Sequence, residues 1–407
     1  MSNQLLTISM ITAESARVLS NNLVLAKCVN RDYDDEFGIK GAKIGQSLNI
    51  RKPARYSVRV GSSVDIQAQT ETYAPLTFVD PIGVDLDFTS QELTFSLDMF
   101  ADRVIKPATI RIANQIDANG FALINKTYNY VGAPGTALTA GAARTAVLSA
   151  AAELYDNNAP VEDGNLHLIV GSRFNATLAD SNSALFNPSK SISDSYVKGM
   201  QPDFGGFKVY MDQLVPTHTN GVYGGTPLTN SATPQTGSTL ITNGWTATTT
   251  SLKVGDVFTI AGVYRVNPQT KTVTTTLQPF TVTVDTVTDG SGNSTISMSP
   301  AMVVSGPFQN VSNGAANSKA ITVIGSSGAV TQQAIAFHKD AFVLANQDIV
   351  LPGGVERADY VRDTETNVGI RVVSQFDVRT NQHITRFDSM IAWATLYEEL
   401  SCRVFTN

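Results

Sequence analysis

Arg51, Lys52, Arg55 and Arg59 lie on one limb of an alternating apolar and polar stretch, and Glu71, Asp80, Asp85 and Asp87 lie on the limb that returns. Side chains of these types do ionic chemistry. Opposite charge on two limbs of one projecting hairpin stabilises it modestly through cross-strand pairs. The same charges could meet complementary charge on a neighbouring copy, where the gain is register and specificity. A nucleic-acid patch is the weaker third reading, because only Tyr56 supplies an aromatic platform beside the basic residues. The formal charge of −6 also argues against a chain that grips phosphate over its whole surface.

Bond-making chemistry finds no comparable constellation. His167, His218, His338 and His383 are scattered and each stands alone, and the GxSxG, HExxH, CxxC and Walker patterns are missing. Cys28 and Cys402 lie at opposite ends of the chain, which gives neither a disulfide framework nor ligand spacing, so both read as buried free thiols. Asp32, Asp34, Asp35 and Glu36 form an acidic turn without the geometry a cation requires. DGSGNS (289–294) opens like a calcium loop but lacks the distal glutamate, and reads as a hairpin turn. NYVGAPGTALTAGAA is glycine-rich, yet no GK[ST] follows, so it reads as a linker. Glu398 and Glu399 are adjacent on an expected strand and would face opposite sides. These absences argue against an enzyme and leave no candidate catalytic, cofactor or metal site in the sequence.

The elements that position the charged stretch follow from periodicity. Leu97, Phe100, Val104, Ala108, Ile112, Ile116 and Leu123 recur mostly at three- and four-residue steps. They predict a helix over 97–125, about 40 Å long at the usual rise per residue. Asp102 and Lys106 sit i,i+4 beside the stripe, and Pro107 predicts a bend near Lys106 or two abutting helices. Residues 1–40 show no sustained period and read as an arm that packs on something else. In 43–88 the period is two, with prolines at 53, 75 and 81 that suit edge strands. A second helix is expected over 142–156, with Val147, Ala151 and Leu154 on one side. LHLIV and FGGFKVYM read as strands, with a short helix opened by Ser172 after the first.

Composition changes at Pro216. From there to Ala334 the chain is rich in Gly, Ser and Thr, and strand candidates succeed one another: VFTIAGVYRV, KTVTTTLQ, FTVTVDTV, STISMSP and AITVIG. Their spacing fits a small antiparallel barrel or sandwich of roughly 110 residues. AFHKDAFVLA, GIRVVSQFDV and ITRFDSMIAWATLY then return to the earlier style, so 216–334 looks inserted into one domain. The length of 407 residues suits roughly two to three domains. No run of eighteen apolar residues exists, and the N-terminus lacks a signal-peptide pattern, so synthesis is expected in a cytoplasm with no membrane partner.

This order of elements resembles the HK97-fold major capsid proteins of tailed bacteriophages, and among them the coat proteins of the short-tailed P22 type. NNLVLAKCVNRDY followed by IGQSLNIRKP is similar to the arm and hairpin entry of that group. FGGFKVYM resembles the segment before its insertion, and LKVGDVFTIAGVYRVNPQTK its inserted domain, with the GD turn. The resemblance covers essentially the whole chain. It implies an α+β HK97-like capsid fold: N-terminal arm 1–42, extended loop (E-loop) 43–88, peripheral domain 89–160 and 360–407 with the spine helix, axial domain 161–215 and 335–359, and inserted β-barrel 216–334.

The function implied is that of a major capsid protein. Copies would form pentamers and hexamers of an icosahedral head, assembled with a scaffolding protein around a portal protein, then expanded around packaged double-stranded DNA held without sequence-specific binding. Its place would be the virion. About 45 residues precede the hairpin, which predicts a separate scaffold and no proteolytic trimming. The eight charged residues named above are the candidate subunit contacts. Some relatives crosslink a hairpin lysine to an asparagine; Lys52 would be the lysine, but nothing in the sequence locates its partner. The best-known relative carries a long charged loop in its inserted domain, whereas 224–250 here has no charged residue and is expected as a flexible, hydroxyl-rich surface feature. A tail or capsid-decoration protein is the competing reading; it explains the β-rich block but not the arm and beam.

Overall fold

The computed structural model describes residues 8–31, 47–56, 61–62, 64, 66, 71–78, 80–89, 105–160, 163–182, 203–363 and 366–406. The chain divides into two units, Met1–Arg51 with Tyr73–Phe121 and Phe342–Ala394, and Lys52–Thr72 with Ala122–Ala341 and Thr395–Asn407.

The first unit is built on a four-stranded antiparallel sheet in the order Arg357–Arg362, Gly369–Asp377, Gln382–Ser389, Ile82–Thr89. Ile370, Val372 and Phe387 alternate along it and are buried. The helices Ile8–Asn22 and Lys106–Phe121 pack against this sheet and each other. The N-terminal segment, read as having no sustained period, is helical over Ile8–Asn22, and Val18, Leu19, Leu23 and Leu25 are buried. Sequence reading missed the helix because its polar residues Thr12, Ser15 and Ser20 are buried on the same side, which blurs the apolar stripe.

The expected beam is met as an α-helix from Lys106 to Phe121, prolonged by the 3-10 turn Ala122–Lys126. Ala108, Ile112, Ile116 and Leu123 are buried as the stripe requires. Ile105 adopts a wide π-turn directly before it. Pro107 is the second residue of that α-helix. Residues 97–104 lie outside the described residues, as does the acidic turn 32–36. Gly120 lets the helix approach the Trp393 ring, whose indole N–H donates to Ile116 O at 3.1 Å. A Cβ at Gly120 would come within 2.8 Å of that ring.

The stretch 43–88 is not one simple hairpin. Ser47–Lys52 pairs with Thr72–Thr77, in which Pro75 is exposed as an edge position allows. Ile82–Thr89 instead forms the end of the four-stranded sheet. Leu76 and Phe78 pack with Val343, Ala345, Ala392 and Ala394, and Leu48 and Ile50 lie against that cluster.

In the second unit, five strands run in the order Tyr130–Val131, Ser401–Thr406, Val330–His338, Leu166–Val170, Lys208–Met211. The helix Ala140–Asp156 packs on this sheet as its pattern foretold, burying Val147, Ala151 and Leu154 with Phe174, Phe207 and Val404. The helix Ser172–Asn182 also forms where expected. AFHKDAFVLA resolves into strand, 3-10 turn and strand.

A further antiparallel sheet has the order Ile321–Val323, Val257–Val266, Val273–Val282, Ser294–Met302, Gly237–Trp245, Gly225–Thr229. A bridge from Leu228 to Ala320 links its two end segments. Phe258, Phe280, Leu240, Ile296 and Trp245 fill the interior. KTVTTTLQ and FTVTVDTV do not form two separate strands. Val273–Val282 runs on through Pro279, which is tolerated where its partner Thr259 adjoins a register shift around Gly262, held at φ 85°. Nor is 224–250 a flexible surface loop. Most of it forms the two strands Gly225–Thr229 and Gly237–Trp245, whose Leu240, Thr242 and Trp245 are buried, so alternation rather than charge was the signal.

His167 lies in this second unit between the rings of Tyr210 and Phe337. Burial, and then the charge of Lys208, hold its imidazole down to about 4 from 6.5. The unfolded chain takes up this proton at the ordinary value and the native chain does so only near 4. Stability from this group is therefore complete above about 6.5 and is lost as pH falls towards 4. Urea unfolding of the parent and of His167→Gln across this range should show a pH dependence about 2 kcal/mol smaller in the variant.

Candidate functional site

Charged side chains gather in two groups, one around Lys52 and Arg55 in the second unit and one around Asp85 and Asp87 in the first. In the second unit, Arg55 Nη2 donates to Glu399 Oε1 at 2.5 Å, and its guanidinium stands 5.7 Å from the Phe308 ring. Lys52 Nζ lies 5.4 Å from the Tyr397 ring. Lys52, Arg55, Phe308 and Glu399 line a cleft of about 300 Å³ with Tyr128, Arg265 and Glu398. Glu398 accepts a hydrogen bond from Ser299 Oγ at 2.5 Å, and burial pushes its carboxyl above the usual range. Arg265 Nη1 donates to Glu153 at 2.8 Å.

The first unit places Asp85 and Asp87 on the end strand of its sheet. Arg386 Nε lies 3.5 Å from Asp85, and Gln382 Nε2 donates to Asp87 at 3.0 Å. Arg386 also donates to the fully buried Asp388 at 2.8 Å, and Arg371 bonds that carboxylate closely from the other side. Arg55, Asp85 and Asp87 therefore have partners outside the hairpin. Arg51, Glu71 and Asp80 are exposed, and Arg59 lies outside the described residues.

Sequence reading missed Arg386, Asp388, Glu398 and Glu399 as partners. Glu398 and Glu399 sit on the 3-10 turn Glu398–Leu400 rather than on a strand, so each serves a different neighbour of the same cleft. An available signal for the other pair was the spacing of Arg386 and Asp388, which places both on one face of a strand. The histidines serve structure separately. His218 Nε2 lies 2.8 Å from Asp256, His338 Nε2 lies 2.7 Å from Asp163, and His383 Nδ1 lies 3.7 Å from Glu356. The Asp163 carboxyl is held below its ordinary value by the His338 and Asn165 hydrogen bonds, which outweigh burial, the largest single cause. Asp289 caps its turn through Ser291 and Asn293, as the hairpin reading of DGSGNS expects. Cys28 and Cys402 are both buried and are not joined in a disulfide.

Among the described residues no group of three His, Cys, Asp or Glu side chains is placed to share a metal ion. No described helix is long and apolar enough to cross a membrane. What the arrangement supplies is paired and exposed charge on extended elements, which suits contact rather than turnover.

No curated protein sequence matches the chain. Among solved structures it is similar to one from Mycobacterium phage Che8, with 12% identity over 94% of this chain and 90% of the other and a TM-score of 0.48. It is similar to the mature capsid of bacteriophage PhiM1, at 10% identity, 93% and 89% coverage and a TM-score of 0.47. The virus-like particle from Pyrococcus furiosus gives 8% identity, 97% and 98% coverage and a TM-score of 0.41. The family model described as P22 coat protein, gene protein 5, matches residues 2–401. That match spans arm, beam and β-rich block together, which a tail or decoration protein would not require, and so the chain belongs to the P22 coat protein family and is a major capsid protein that builds a phage shell.

Proposed function

We propose that copies of this chain tile an icosahedral head as pentamers and hexamers, using the projecting part of 43–88 as a finger laid on the neighbouring copy. One observation carries the reading. Tyr56, Val64, Ile66 and Tyr73 are 61%, 80%, 90% and 63% exposed on this element. Large apolar side chains left in water along one stretch of chain suit a surface that another molecule covers. The same stretch of sequence carries Arg51, Lys52, Arg55 and Arg59, with Glu71 and Asp80 further along it. Many weak repeated contacts suit a shell, because closed symmetry adds them while single strong contacts trap wrong assemblies.

In the same reading the protein has an HK97-like plan: arm 1–42, extended loop 43–88, peripheral domain 89–160 and 360–407, axial domain 161–215 and 335–359, and inserted barrel 216–334. The bridge between Leu228 and Ala320 supports closure of that barrel. A scaffolding protein and a portal protein direct assembly in the host cytoplasm. The head then expands around double-stranded DNA, which a chain of charge −6 encloses without gripping.

Reversing two hairpin charges, Arg51→Glu with Arg55→Glu, is expected to reduce the yield of shells about tenfold while the subunit still folds, since exposed charges contribute little to folding stability. Negative-stain microscopy of the particles and circular dichroism of the soluble subunit read the two effects separately. Normal numbers of shells from the double variant would remove the finger from the assembly mechanism.

A further inference from the structure

Lys52 and Arg55 are turned onto their own chain. Arg55 is held by the carboxylate of Glu399 and by the face of Phe308, and Lys52 stands over Tyr397. Their seat is built into the unit. Glu399 belongs to the 3-10 turn Glu398–Leu400, which leads directly into the fully buried strand Ser401–Thr406. Glu398, next to it, is fastened by Ser299. The carboxylate receiving Arg55 is therefore on a rigid support. Arg55 itself remains 42% exposed along its side chain and is open to exchange.

We propose that this seat is an intramolecular latch, in which Glu399 and Tyr397 hold, in the unassembled subunit, the cations that a second copy of the chain must engage. The inference rests on the assembly role proposed above for the charged hairpin. A guanidinium committed to Glu399 is not presented to a neighbour, so only the released fraction of subunits is competent, and apparent affinity falls by that fraction. A half-exposed ion pair yields readily once a neighbour offers several contacts together. The latch thus slows the first encounters between subunits and is displaced as contacts accumulate, which disfavours premature association.

The test compares assembly of the full chain and its Glu399→Gln variant by light scattering, with and without scaffolding protein, and with microscopy of the products. Loss of the latch should shorten the lag about threefold at unchanged melting temperature, the scale set by a half-exposed ion pair. Arg55→Gln should lengthen the lag, and Glu399→Gln added to it should change nothing further, because both act through one contact. A Glu399→Gln lag equal to or longer than that of the parent overturns the latch while parent shells leave the assembly role standing. A parent that forms no shells, or an Arg55→Gln variant that assembles as the parent does, overturns the assembly role of the hairpin and the latch with it.

Discussion

Replacing Asp117 by alanine should lower the stability of the unassembled subunit by about 3 kcal/mol, measured by reversible urea unfolding. Asp117 is 1% exposed on the helix Lys106–Phe121, and its carboxylate accepts the backbone N–H groups of Val24 at 2.7 Å, Leu25 at 3.3 Å and Ala26 at 3.1 Å. These donors open the short helix Leu25–Cys28, whose own residue before the first turn, Val24, has no side chain able to cap it. The cap is supplied from another helix. Deletion leaves three donors in a water-poor site, and each lost partner costs on the order of 1 kcal/mol or more. Asp117→Asn should fall between, because its amide keeps one acceptor oxygen but turns a donor towards donors. A loss below about 1 kcal/mol for the alanine variant would mean that water replaces the carboxylate.

Elements whose burial follows one period were readable from the chain. Ala140–Asp156, Leu166–Val170 and Val257–Val266 stand where their apolar residues place them, and the last matches VFTIAGVYRV residue for residue. Elements whose buried face is partly polar were not. Ile8–Asn22 buries Thr12, Ser15 and Ser20, and Gly237–Trp245 buries Thr242, which receives the Trp245 indole N–H at 2.8 Å. A pattern that counts apolar residues passes over such faces, since hydrogen bonding rather than hydrophobicity makes them compatible with burial.

The same limit applies to the candidate site. Charge type along 43–88 was legible, but partners such as Glu399 and Arg386 lie more than 300 residues away in the chain, and nothing local encodes which strand the returning limb will join. Strand pairing at that separation is a property of the whole sheet. The contact proposed with a second copy has no trace in the periodicity either. What bears on it is the exposure of Tyr56, Val64, Ile66 and Tyr73.

Asp388 should prove as costly to remove as Asp117, for a different reason. It is fully buried in Gln382–Ser389, clasped by Arg371 and by Arg386, and Arg371 also donates to Val350 O at 2.9 Å. Gly83, directly opposite, makes the room: a Cβ there would stand 2.6 Å from the Asp388 carboxylate and 2.5 Å from Phe387 O. Asp388→Ala leaves the guanidinium of Arg371, only 15% exposed, without its counter-charge, and breaking one half of such a buried pair costs about 3 kcal/mol. Arg386→Ala should cost less than about 1 kcal/mol, since that side chain is 52% exposed. Converting both partners, Asp388→Leu with Arg371→Met, should recover most of the loss, because the desolvation of both charges disappears together. The strand that Asp388 holds also pairs with Ile82–Thr89, which carries Asp85 and Asp87. Shell yield should therefore fall in Asp388→Ala and return in the double variant, while a double variant that is stable but still yields few shells would show that the carboxylate matters to assembly beyond holding the sheet.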